Sequence, residues 1–157
     1  MNRIKIIRSG GQSGVDRASL DFAREHNIPI KGWCPKYGWA EDMPNPPGLL
    51  DYYPELAETP ETDVSQRTMW NVRDSDATLV FICSKSPGTI LTEETAKRIG
   101  KPYFLSDYNS VEDVVKWIKS LPDNIELNIG GPRESEEPGI YNRTKSFLSK
   151  MYKLLEE

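Results

Sequence analysis

The stretch IKIIRSGGQSGVDRASLDFAREH, Ile4 to His26, restricts the fold more than any other part of the chain. Ile4, Ile6 and Ile7 are β-branched and stop abruptly at Ser9-Gly10-Gly11, the pattern of a short buried strand ended by residues that accept positive φ. From Ser13 onward, Val15, Ala18 and Phe22 recur at three- and four-residue spacing, with Asp16, Arg17, Asp21, Arg24 and Glu25 on the other faces. An amphipathic helix therefore begins inside the motif. Unpaired N–H groups at a helix start, carrying about half a positive charge from the macrodipole, form a cradle for phosphate or another anion.

Gly10, Gly11 and Gly14 make neither the G-x-G-x-x-G dinucleotide fingerprint nor the G-K-[S/T] ending of a P-loop. A turn whose glycines serve backbone geometry alone is thus the alternative to a ligand site. Asp16 suits the bare helix dipole but would repel a bound phosphate, so it must turn aside, accept ligand hydroxyls or hold a cation.

After this unit, His26-Asn27 reads as a helix stop, with His26 serving the last turn's carbonyls, and Ile28–Gly32 as a second short strand. Trp33 and Cys34 follow at the edge where parallel α/β sheets place ligands. Trp33 either stacks on a flat ring or packs under the loop, and Cys34 reads as a small buried filler. Met43 to Pro60, with five prolines and two tyrosines, shows neither strand nor helix period and is expected to be a long ordered loop that covers a ligand. Asp63, with Gln66 three residues on, caps a helix expected to bury Val64, Thr68 and Val72. Arg67 and Asn71 share one side of it. They could clamp a ligand, or Arg67 could pair with Asp63 or Asp74.

Ala77 to Cys83 is continuously apolar, as a central strand covered on both faces should be. Ser84-Lys85-Ser86-Pro87-Gly88-Thr89 then repeats the opening arrangement of strand, small residues and helix, so the two turns would face one crevice. Tyr103–Leu105 is a fourth strand, and Ser110 with Asp113 caps a helix burying Val111, Val114, Val115 and Ile118. Ile125–Ile129 runs into a third glycine turn, Gly130-Gly131-Pro132-Arg133, where Arg133 is an anion-binding candidate. The last helix turns Ile140, Phe147, Leu148, Met151 and Leu155 inward and leaves Lys145, Lys150 and Lys153 as a solvated face. Five strands alternating with helices predict an α/β, Rossmann-like three-layer α/β/α domain over residues 1–157, its sheet mostly parallel.

A chain of 157 residues with 37% hydrophobic content supports one core, not two. Net charge is −4 with both signs interspersed, which argues against nucleic acid as a partner. No apolar run reaches membrane-spanning length and Met1-Asn2-Arg3 carries no signal pattern, so a cytoplasmic protein without membrane partners is expected. Cys34 and Cys83 lie far apart without a histidine cluster; no zinc site is expected and both should be reduced thiols.

Taken together and in order, SGGQSGVDRASLDFA, GWCPK…AED, ETPETD…QRTMWNVRDSDATLVF, PGT…T…GKP and LNIGGPRESEEPGIY resemble the putative molybdenum carrier family. That family is a Rossmann-like branch of the superfamily that includes the lonely-guy phosphoribohydrolases and DNA-processing protein A. The resemblance implies a homo-oligomer, dimer or tetramer, that binds molybdenum cofactor, another phosphorylated pterin or a nucleotide-like ligand. Carried over by position, Gly10, Gly11, Gln12, Ser13 and Gly14 match the first ligand loop, with Asp16 and Arg17 opening its helix. Gly88, Thr89 and Thr92 match the second loop, Ser86 preceding it, and Gly131, Pro132 and Arg133 the third. Where members carry basic residues after the Cys-Pro step, this chain has Tyr37, Gly38 and Trp39, aromatic surface in place of a phosphate contact.

The related phosphoribohydrolases carry P-G-G-x-G-T-x-x-E, whose glutamate acts at the glycosidic bond. Thr92 stands at that position here; Glu93 and Glu94 follow, each turned about 100° further round the helix. A carrier or binding protein is therefore the first expectation. An N-glycosidase acting on nucleoside monophosphates, with Glu93 as its acid, and a nucleotide-sensing signalling protein are the alternatives.

Overall fold

The computed structural model describes residues 3–83 and 87–157. Its centre is a five-stranded sheet of β1 (Ile4–Arg8), β2 (Ile30–Lys31), β5 (Ala77–Phe81), β6 (Tyr103–Ser106) and β7 (Ile125–Gly130). Their spatial order is β2-β1-β7-β5-β6, and every pairing is parallel. These are the five strands expected from the apolar runs. All of β5 is buried, as its unbroken hydrophobicity requires. It stops at Phe81, two residues short of the run, although the Ile82 N–H still donates to Ser106 O at 2.8 Å.

Helices α1 (Val15–Glu25), α5 (Val111–Lys119) and α6 (Ile140–Leu155) pack together on one side of the sheet, and α3 (Val64–Asp74) with α4 (Pro87–Ile99) on the other. The chain steps from β1 to β2 in one direction and from β5 to β6 in the other; β7 returns to fill the gap between β1 and β5. The carboxyl ends of β1, β7 and β5 thus straddle the reversal in strand order, where open α/β sheets leave a crevice.

His26 closes α1 as its sequence position suggests: its Nδ1 lies 2.9 Å from Phe22 O and its ring packs between Phe22 and Tyr152. Ser110 Oγ accepts the Asp113 N–H and starts α5. On α6, Leu155 is only half-buried, and Lys145 is bonded to Glu25 instead of standing in water.

Two expectations need correction. Segment 43–60 holds a short helix, α2 (Leu49–Tyr52), and a strand, β4 (Ala57–Glu58), that pairs in parallel with β3 (Trp33–Cys34). Both are too brief to show a period, and their anchors are tertiary: Leu49 and Leu56 are buried, and the Tyr53 hydroxyl donates to Asp21 at 2.6 Å. The segment is a wall of the domain, not a cover. Likewise Asp16 and Arg17 are buried instead of facing solvent, because that wall covers the start of α1. Arg17 forms a two-pronged pair with Asp42, 2.9 Å on each arm, and also donates to Gly11 O.

Candidate functional site

Gly10 at the end of β1, Gly130 and Gly131 at the end of β7, and Gly88 and Thr89 at the start of α4 border one recess of about 50 Å³. The two glycine turns expected to face one crevice do so, and the third joins them. Asp16, Arg67, Thr68, Asn71, Thr92 and Asn128 add polar lining.

Each glycine contributes differently. A Cβ on Gly10 would run into the Arg67 guanidinium, and one on Gly131 would sit 2.8 Å from Val15 Cγ2 and 2.9 Å from Phe81 O. Gly14, at φ +80°, lies where a Cβ would come within 2.5 Å of Pro132 O, so the first and third loops close on each other. Val15 N–H donates to Pro132 O at 3.2 Å and Glu134 N–H to Ser13 Oγ at 3.1 Å, tying them further. Gly88 is the exception, with nothing among the described residues within 4 Å of where its side chain would be.

The first loop is not the open cradle its sequence suggests. Gly11 N–H donates to Ser9 Oγ, Ser13 N–H to Gln12 Oε1 and Arg17 N–H to Gln12 O, and the Gln12 backbone beside the Asp16 carboxylate favours its charge. Asp16 thus fills the place an anion would take. It turns inward and holds a cation of the protein's own: Arg67 Nη1 donates to its Oδ2 at 2.9 Å. Burial raises the Asp16 pKa, and Arg67 opposes that shift. Arg67 was open to Asp63 or Asp74 on sequence grounds, and Asp16, on another element, takes it. Its Nε is buried with no partner among the described residues. The start of α4, a helix of 13 residues opened by Pro87, faces the recess.

Glu41, two residues past Trp39, gathers the third loop. Its carboxylate accepts from the hydroxyls of Ser13 and Ser135 and from Ser135 N–H, with Arg133 Nη1 at 3.6 Å, while its own N–H donates to Gln12 Oε1. Burial works against its charge, but these donors outweigh it and hold the carboxyl below the usual range. Arg133 is shared between Glu41 and Glu136, whose Oε1 accepts both its N–H and its Nε.

Several candidates take other roles. Asn71 borders the recess, yet both ends of its amide are occupied by the Trp33 backbone, at 2.8 and 2.9 Å. Trp33 packs edge-on against Trp70, donates Nε1–H to Asp74, and borders no cavity named here. Of its two alternatives the structure takes packing. Cys34 is buried and its thiol pushed up to about 11 by burial, the filler expected. Thr92 points its hydroxyl to Gly88 O at 2.8 Å. Glu93 pairs with Lys97 at 3.0 Å, off the recess. Ser86 lies outside the described residues.

Helix α3 brings the largest correction. Asp63 caps it as expected, accepting the Ser65 N–H, but Gln66 takes the Glu61 N–H instead of completing a capping box. Val64, 43% exposed, and half-buried Thr68 border the cleft. Of the three residues expected to face the core, Val72 is buried, while Val64 and Thr68 lie with Arg67 and Asn71 on an i, i+3, i+4, i+7 stripe that faces the cleft, so that part of the periodicity lines a cavity instead.

Arg67, Thr68, Gly88 and Gly131 border both the recess and an adjoining vestibule of about 320 Å³, whose walls also include Gln12, Trp39, Val64, Leu91, Arg133 and Glu136. Trp39, Asn128 and Glu136 were missed as site residues. The departure at Tyr37-Gly38-Trp39 was the available signal for the first, and a buried asparagine near the end of a strand, ahead of a glycine pair, for the second. Among the described residues no three of His, Cys, Asp or Glu gather to hold a metal, and no helix is long and apolar enough to cross a membrane.

The sequence model of the circularly permutated YpsA SLOG family matches residues 7–152. The crystal structure of a putative molybdenum carrier protein from Syntrophus aciditrophicus is similar, with a TM-score of 0.84 and 38% sequence identity over 96% of each chain. No curated protein matches the sequence.

Proposed function

The chain belongs to the circularly permutated YpsA SLOG family, and on that premise we propose that it is a carrier for a phosphorylated heterocycle, with molybdenum cofactor the leading ligand. The observation that carries this reading is the meeting of Gly10, Gly131, Arg67 and the first turn of α4 around one recess that adjoins a vestibule. The recess suits an oxyanion: helix-end N–H groups and a guanidinium are the donors such a group needs. The vestibule lies within the range of roughly 300–1,000 Å³ typical of small-ligand pockets. The similarity to the Syntrophus aciditrophicus protein supports molybdenum cofactor among such ligands.

In this role Arg67 holds the anion while remaining paired with Asp16, and Thr89 and Gly88 bring the positive end of α4 to it. Asp16, already hydrogen-bonded, keeps a second negative group at a distance from the first loop, so the ligand's charge sits on the α4 side. Glu93 faces Lys97, which leaves a glycosidase reading without its acid at the recess. Native mass spectrometry of the purified protein tests the proposal. A pterin or nucleotide bound at one per chain is expected; an empty protein that also fails to bind neopterin 3′-phosphate or adenosine 5′-monophosphate in titration overturns it.

A further inference from the structure

We propose that the vestibule is a ring-binding subsite with Trp39 as its platform, so that the ligand lies with its anionic end toward Arg67 and its flat ring against the indole. This rests on the phosphorylated-ligand reading above and adds to it an orientation and a residue. A recess of about 50 Å³ admits a group the size of an oxyanion and excludes a two-ring heterocycle, which must therefore occupy the 320 Å³ outside it.

The four tryptophans point to Trp39. Trp33 and Trp70 pack edge-on against each other at 4.8 Å, with Trp33 bonded to Asp74 and Trp70 under the Arg73 guanidinium. Trp117 packs against Phe104 at 5.5 Å. Trp39 alone among them borders the vestibule; half-buried, it has neither a ring neighbour nor an indole hydrogen bond among the described residues. An amphipathic ring held at a cavity wall with its face and its N–H unspent is the form a stacking platform takes.

The remaining walls agree. Val64, on the first turn of α3 and 43% exposed, borders this space with Pro87 and Leu91 of α4, giving it apolar walls. The polar part of the lining, Gln12, Ser65, Arg67, Thr68, Arg133 and Glu136, can meet the donors and acceptors around a heterocycle's rim. The vestibule thus offers apolar surface for a ring's faces and polar groups for its edges, and it shares Arg67, Thr68, Gly88 and Gly131 with the recess.

The test is calorimetric titration of neopterin 3′-phosphate, adenosine 5′-monophosphate and ribose 5-phosphate into the wild type, Trp39→Ala, Trp39→Phe and Val64→Ser, with sedimentation of each protein. Trp39→Ala should weaken the two ring ligands about tenfold and leave ribose 5-phosphate unchanged. Trp39→Phe should restore most of the loss, and Val64→Ser, a change at an exposed side chain, should cost two- to threefold for the ring ligands only. Ring ligands that bind the wild type no more tightly than ribose 5-phosphate, or equally in Trp39→Ala, overturn the platform and leave the phosphorylated-ligand reading standing. A change of assembly mass in Trp39→Ala assigns the indole to a contact between copies and overturns it as well. If none of the three compounds binds the wild type, both readings fall.

Discussion

Asp16 and Arg67, 51 residues apart in sequence, meet at 2.9 Å on the floor of the cleft, their side chains only 6% and 15% exposed. The pair joins the start of α1 to the cavity face of α3 across the carboxyl edge of β1. It also decides how the first glycine loop is used, because the carboxylate that accepts Arg67 lies against that loop, where the Gln12 backbone favours its charge.

Removing the arginine leaves a buried carboxylate without its counter-charge, which costs far more than an exposed ion pair is worth. Arg67→Ala should lower the unfolding free energy in urea by about 3 kcal/mol. Adding Asp16→Asn, which removes the stranded charge, should recover part of that loss. A single-variant loss below about 1 kcal/mol would show that the pair is solvated and contributes little.

Gly131 and Gly88 look alike as loop glycines in the sequence but should respond oppositely to alanine. At Gly131 the new methyl meets Val15 and the Phe81 carbonyl below 3 Å, so the β7 loop must shift away from α1, and a loss of about 1–3 kcal/mol is expected. At Gly88 nothing among the described residues lies within 4 Å and the residue is helical, so alanine should raise stability by up to about 1 kcal/mol. Thermal unfolding of the two variants checks the contrast; equal losses would refute it.

The same contrast explains what was legible in the sequence. Strand runs such as Ala77–Phe81 and the caps Asp63 and Ser110 are local signals, and each appears at its predicted place. The convergence of Gly10, Gly88 and Gly131 follows from parallel strands, whose carboxyl ends share one edge. What stayed hidden depends on long-range pairing. Nothing near Asp16 indicates that Arg67 will reach it, and nothing near Asn71 indicates that it will clamp the Trp33 backbone. The stripe through Val64 and Thr68 reads the same whether it faces a core or a cavity, since periodicity reports a face and not what lies against it. Segment 43–60 failed for another reason: a four-residue helix and a two-residue strand are shorter than any period.

Asp74 links stability to acid. The Arg73 guanidinium beside it, at 2.8 and 3.0 Å, and then the Trp33 indole hold its carboxyl at about 2, against 3.8 unfolded, although burial opposes them. A folded value below the unfolded one contributes stability above pH 4 that is lost as pH falls from about 4 toward 2. Because Arg73 is 51% exposed and its charge is screened, the contribution should be about 1 kcal/mol. The stability gap between wild type and Asp74→Asn, followed by Trp fluorescence from pH 6 to pH 3, should narrow over the acid end. A gap independent of pH would exclude the carboxylate as its source.

Glu136 bears on the proposed ligand directly. It borders the vestibule and its Oε1 accepts both the N–H and the Nε of Arg133, so the one cation of the third loop is partly neutralised where an anion would approach. Glu136→Gln keeps an acceptor oxygen in the same position and removes the charge, so the loop geometry should survive. Arg133 is 43% exposed, which limits the electrostatic gain to about 0.5–1 kcal/mol, or about two- to fivefold tighter binding of adenosine 5′-monophosphate. Because exposed charges are screened, the gain should shrink between 20 mM and 300 mM salt, Debye lengths of about 20 Å and about 6 Å. Titration at the two salt concentrations checks both parts, and binding that is weaker in the variant at low salt would mean that Glu136 receives a donor from the ligand instead of competing with it for Arg133.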